Sequence, residues 1–120
     1  MSKYIDGFVL PLPDDKVEVY RETASKAAAI WKEHGALEYV EAIGDDMEAQ
    51  DMVPFPRMAG AGPNEKVVMA YIVYRSREHR DEVNAKIMAD PRIKAMCDPE
   101  HPIFDYKRMA FGGFKCFVEA

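Results

Sequence analysis

The eleven residues Trp31–Glu41 constrain the fold of this chain more than any other stretch. Just upstream, Val17, Tyr20, Ala24, Ala27, Ala28 and Trp31 recur at helical spacing, which predicts one long amphipathic helix over 14–34. Gly35 is placed to close that helix in the left-handed conformation, because it carries no Cβ to clash. A strand over 36–43 follows at once, with Leu37, Tyr39 and Glu41 on one face, since side chains alternate along extended backbone. The same corner gathers an indole (Trp31), an imidazole (His34), a phenol (Tyr39) and a carboxylate (Glu41), so it is also a candidate pocket.

The remaining elements follow from the same rules. Residues 3–12 read as a strand with Tyr4, Asp6, Phe8 and Leu10 on one face, ended by Pro11 and Pro13, and Asp14 or Asp15 can cap the helix behind it. Residues 44–65 hold three prolines and three glycines, which rules out a long regular element, yet Met52, Val53, Phe55 and Met58 are too apolar for a free linker. Lys66–Tyr74 reads as a strand, and Ser76 caps a helix over 77–90. Asp90-Pro91 starts a short helical piece to about 97, with proline at its first position. The last strand, 106–118, contains Gly112-Gly113, where a bulge or a close backbone approach is expected.

Strand, helix, strand, strand, helix, strand predicts an α+β, ferredoxin-like βαββαβ fold in one domain spanning 1–120: a four-stranded antiparallel sheet with helices on one face. The Lys66–Tyr74 strand then sets a further requirement. Val67, Met69, Tyr71 and Val73 alternate with Val68, Ala70, Ile72 and Tyr74, so both of its faces are apolar. Helices cover only one. The other is a large apolar patch of a kind soluble proteins avoid, and the simplest cover is an identical subunit. A homodimer with its two sheets face to face is therefore expected.

Composition narrows function by exclusion. A net charge of −5 argues against broad contact with nucleic-acid phosphates or anionic lipid. No apolar run approaches the ~20 residues that span a bilayer. Asp6 interrupts what would be the apolar core of a signal peptide, and Cys97 and Cys116 match no metal or disulfide framework. A reduced, cytoplasmic protein without metal or cofactor is expected.

Each candidate site residue has a plain reading beside its functional one. Asp6, a carboxylate among apolar neighbours, is a candidate acid or base if it lines the space between sheets, or else a carboxylate bonded to an arginine or tyrosine in a dimer interface. Glu41 lines a pocket or, as an edge-strand charge, reaches solvent. His34 is a pocket base or an imidazole favoured by the carbonyl end of its helix. His79, at four-residue spacing with Val83 and Ile87, is a ligand contact or a satisfied histidine at the core edge. His34 and His79 with a carboxylate would bind metal only if the fold joins them. Trp31, Tyr39, Phe55, Tyr71 and Phe111 are pocket walls or ordinary core.

Several segments together carry a family resemblance. Tyr4–Pro11, Trp31–Glu41, Tyr74–Lys86, Met88–Arg92 and Lys107–Phe114 resemble the YbaA-like family of uncharacterised bacterial proteins. The resemblance runs through essentially the whole chain. It implies membership of the dimeric α/β-barrel superfamily and supplies no catalytic residues, since the family is a domain of unknown function. Some members bear a name linked to signal-recognition-particle RNA. Three readings follow. The first is a homodimeric small-molecule binder, or a cofactor-free enzyme of acid–base or monooxygenase-like chemistry, with its pocket between sheet and helices and Asp6 or His34 as base. The second is a non-catalytic interaction module acting through its dimer and the 44–65 loop. RNA binding comes last, on charge.

Overall fold

The computed structural model describes residues 2–120. Its elements are β1 (Tyr4–Pro13), α1 (Val17–Glu33), β2 (Glu38–Ile43), α2 (Phe55–Ala59), β3 (Glu65–Tyr74), α3 (Arg77–Ala89), α4 (Pro91–Met96) and β4 (Ala110–Lys115). The strands form one antiparallel sheet in the order β2-β3-β1-β4. This is the ferredoxin-like arrangement that the order of elements predicts.

Local chemistry sets the joints. Gly35 ends α1 at φ +117°, and the amides of Gly35 and Ala36 bond back to Lys32 and Trp31 carbonyls at 3.1 Å. Ser76 caps α3 by accepting from the His79 amide at 3.1 Å, and Asp90 caps α4 by accepting from the Arg92 amide at 2.8 Å. β1 tolerates Pro11 and Pro13 although it is a central strand. β4 pairs it only from Tyr4 to Val9, so beyond that point one side of β1 is a free edge.

Three boundaries differ from the sequence reading. The α-helix starts at Val17, not at 14, because Asp14–Lys16 forms a single 3-10 turn and neither aspartate makes a capping bond. The Asp14 amide is drawn instead to the Asn64 carbonyl, 3.0 Å away. The 44–65 segment includes the one-turn helix α2, which closes at Gly60 with φ +68° and packs against β1 and β3. The last strand is shorter than 106–118: Asp105 accepts from the Lys107 amide and turns Tyr106–Arg108 into a 3-10 helix, so pairing begins at Ala110. Gly112-Gly113 is the close approach and not the bulge. The register through Gly7↔Gly112 and Asp6↔Gly113 is unbroken, and a Cβ on Gly113 would lie 2.4 Å from the Tyr4 hydroxyl and 2.7 Å from Arg80 Nη2.

Alternation divides the sheet into two faces. Tyr4, Asp6, Phe8 and Leu10 of β1 and Val68, Ala70, Ile72 and Tyr74 of β3 meet α1 and α3 in the core. Ile5, Val9, Met69, Tyr71 and Phe114 project the other way, and there Met69 is 44% and Phe114 62% exposed. Under the helices the core has two centres, one around Tyr74, Ile72 and Val83, the other around Leu10, Leu12 and Val68.

Candidate functional site

A cavity opens between these two centres, and the sequence of α1 explains why. Its sheet-facing stripe reads Tyr20, Ala24, Ala27, Trp31, so two methyl groups separate two large rings, and Ala70 lies opposite on β3. Small side chains on both walls leave about 250 Å³ unfilled. Phe8 and Leu10 floor it, Tyr39 and Glu41 close one side, and Ile93 and Met96 of α4 with Phe104 and Met109 close the other. A second cavity of about 340 Å³ lies toward the far ends of β2 and β3, against Leu12, Val17, Ile43 and Val68. Tyr20, Ala24, Tyr39 and Glu41 belong to the walls of both.

Glu41 is therefore the centre of the site. The Tyr20 hydroxyl donates to its Oε1, and the Tyr39 hydroxyl donates to Oε2 at 2.8 Å. Burial, reinforced by the adjacent Glu41 carboxylate, pushes both phenols well above their ordinary range, so both remain protonated donors. The Trp31 ring stands 5.9 Å from the Tyr39 ring, while its indole N–H donates to the Tyr74 hydroxyl at 3.1 Å. Glu41 is on the helix-facing side of edge strand β2, opposite Ala70, and does not simply reach solvent.

Asp6 occupies a different environment on the same face. It is 2% exposed, and its Oδ1 lies 3.3 Å from Arg80 Nε. The pair is a charge contact and not an aligned hydrogen bond, which leaves both atoms buried without one. Arg80 also donates to the Tyr4 hydroxyl at 3.2 Å, with its guanidinium 4.9 Å from the centre of that ring. Burial raises the Asp6 pKa, Arg80 opposes the rise, and Tyr74 lends a further hydrogen bond. Asp6 faces the helices and not the opposite sheet face, because β1 presents its even-numbered residues to α1 and α3, and its partner is an arginine, as the plainer reading allowed.

His34 and Asp6 do not share a site. His34 Nε2 is 2.7 Å from Asp90 Oδ2, and Arg92 bridges Asp90 and Glu33, tying the end of α1 to the start of α4. Donor atoms of Glu33, His34 and Asp90 lie within 4.8 Å of one another. The Arg92 guanidinium already brings positive charge into this group, so the donor set fits an ion-pair network better than a metal centre. His79 accepts from the Arg75 amide at 3.0 Å through Nδ1, and burial, then the Arg75 charge, lowers its pKa. Phe55 lies on α2, Tyr71 on the opposite sheet face, and Phe111 packs against Phe8 at a tilt, with ring centres 5.0 Å apart. Of the predicted site residues the cavity gathers Trp31, Tyr39 and Glu41; Asp6, His34, Phe55, Tyr71 and His79 lie outside its lining.

Tyr20 was visible in the sequence only as one apolar position of an amphipathic helix. The available signal was the pair of alanines between two aromatics on one stripe, which marks a gap as readily as close packing. The wall from α4 to Met109 left no such signal, since turns supply most of it.

Comparison with known proteins places these observations among relatives. The family described as "Protein of unknown function (DUF1428)" matches residues 3–106. The chain is 44% identical over 117 residues to "Uncharacterized protein YbaA" of Escherichia coli K12, covering 98% of each chain, and to the same protein of Shigella flexneri with the same identity and coverage. A crystal structure of a dimeric ferredoxin-like protein from an uncultured marine organism superposes with TM-score 0.60 over 100% of both chains at 12% identity, a likeness of fold alone. No helix among the described residues is long and apolar enough to cross a membrane.

Proposed function

This chain belongs to the DUF1428 family of proteins of unknown function, and from that premise we propose that it is a homodimeric small-molecule-binding protein whose ligand sits between α1 and the sheet. One observation carries the reading: a carboxylate gripped by two tyrosine hydroxyls stands in the wall shared by two cavities. An apolar cavity with a few convergent polar groups is the usual form of a small-molecule site. Its 250 Å³ suits a compact ligand, since an apolar cavity of ~150 Å³ already admits benzene. Where turnover accompanies binding, cofactor-free acid–base chemistry is the class this lining supports, with Glu41 placed to take a proton from a bound ligand.

The homodimer is proposed on the sheet face away from the helices, where Ile5, Val9, Met69, Tyr71 and Phe114 form an apolar surface. The marine protein described as dimeric has a similar fold. An interaction module is the second reading, favoured by Met52, Val53 and Met58, which remain exposed on the 44–65 segment.

A thermal-shift screen of small aromatic metabolites on wild type and Ala24→Phe tests the cavity, because Ala24 belongs to both walls. The expected result is a ligand-dependent rise in Tm that the filled variant loses; equal shifts in both proteins contradict the site. Sedimentation of wild type and Phe114→Arg tests the dimer, with the variant expected to be monomeric.

A further inference from the structure

We infer that the cavity selects ligands that donate hydrogen bonds, neutral or cationic aromatics, and rejects organic anions of the same shape. This rests on the cavity reading above and names the chemical class it takes.

The donors of Tyr20, Tyr39 and Trp31 are already spent. The Tyr20 and Tyr39 hydroxyls both point to Glu41, and the Trp31 indole N–H is committed to Tyr74. What the triad still offers is acceptor capacity. Each carboxylate oxygen accepts one of these bonds and retains a further lone pair, and each phenol oxygen can still accept. Among the described residues, no lysine, arginine or histidine lines the 250 Å³ cavity, and Glu41 is its one charged residue. The larger cavity adds a single cation, Arg21, whose side chain is 67% exposed and lies 3.5 Å from Glu18. An anion entering here would meet a carboxylate in a confined apolar space with no counter-charge, whereas a phenol, an aromatic amine or a benzylic ammonium would find the acceptor it needs. The remaining polar lining, Thr23, Cys97 and Tyr106, brings no charge to offset this, and Cys97 and Tyr106 lie toward solvent.

Trp31 is the only tryptophan in the chain and stands in the cavity wall, so its emission reports occupancy directly. Four probes sharing one ring and differing in one group suffice: toluene, 4-methylphenol, 4-methylbenzylamine and 4-methylbenzoate, titrated into the full-length protein. The phenol and the amine are expected to change Trp31 emission saturably and to bind at least about tenfold tighter than toluene or the benzoate. Benzoate binding as tight as that of the phenol, or toluene binding as tight as the phenol and the amine, overturns the inference. Absence of any saturable change, toluene included, overturns the cavity reading itself, so the two failures are distinguishable. Glu41→Gln, which introduces donors in place of an acceptor, is expected to bring benzoate and phenol to similar affinity. Tyr20→Phe keeps the carboxylate and should keep benzoate excluded; loss of the exclusion there, or its full retention in Glu41→Gln, also overturns the assignment.

Discussion

Asp6 and Glu41 stand on the same face of one sheet, one against α3 and the other against α1, and they illustrate two uses of a carboxylate. Asp6 is sealed against an arginine, has a raised pKa, and borders neither cavity. Glu41 has no ion-pair partner among the described residues, is held by two neutral hydroxyls, and faces open volume on both sides. Burial alone would have chosen Asp6 as the reactive group. Free volume and unspent acceptors choose Glu41. A buried charge with its partner beside it is held for the fold, while a charge supported by uncharged donors beside a cavity can still answer to a ligand.

The sharpest way to break this contrast is to set a change at the Asp6 pair against one at Glu41. Arg80→Met leaves the buried Asp6 carboxylate without the cation 3.3 Å away and is expected to cost about 3 kcal/mol in denaturant unfolding. A cost below that of Glu41→Gln would erase the distinction. Next in size is Gly113→Ala, expected to cost about 1–3 kcal/mol because the new methyl must displace the Tyr4 hydroxyl and Arg80 from their positions over Asp6. A neutral Gly113→Ala would mean that the Tyr4–Arg80 arrangement is slack. Glu41→Gln should cost only about 1 kcal/mol, since the amide oxygen still accepts from one tyrosine and water entering the cavity can pair the other.

The smallest effect is one of pH, and a third carboxylate supplies it. Hydrogen bonds from Arg108 and then the Gly62 amide lower the Glu65 pKa from 4.5 to about 2. A lowered folded-state pKa contributes stability that is present above about 4.5 and lost as pH falls toward about 2. Asp6 has the opposite sign: its raised pKa favours the fold in its protonated form, a contribution lost as pH rises through the folded-state value. Glu65→Gln should therefore flatten the acid limb of a plot of Tm against pH between about 4.5 and 2. An unchanged limb would assign acid unfolding to other groups.

The fold was largely legible because periodicity and punctuation agree throughout. Ala24 and Trp31 repeat at helical spacing, Gly35 and Ser76 sit where joints need them, and Lys66–Tyr74 shows a central strand directly. The strand end near residue 106 was not, because a local Asp105 turn overrides residues that would otherwise suit an extended chain. The site was half legible. Trp31, Tyr39 and Glu41 share a corner in sequence as in space, but Tyr20 lies 21 positions from Glu41 and meets it only once α1 folds back over β2. Arg80 and Asp6 are 74 positions apart, so their pairing, and with it the structural role of Asp6, depends on the tertiary fold that brings α3 against β1.

The central claim, a ligand site organised around Glu41, is tested most directly by a crystal structure of the protein soaked with 4-methylphenol. The ring should lie between α1 and the sheet against Trp31, with its hydroxyl within about 3.2 Å of a Glu41 carboxylate oxygen. A cavity closed by collapsed side chains, or the phenol found only on the outer sheet face or the 44–65 segment, would contradict it.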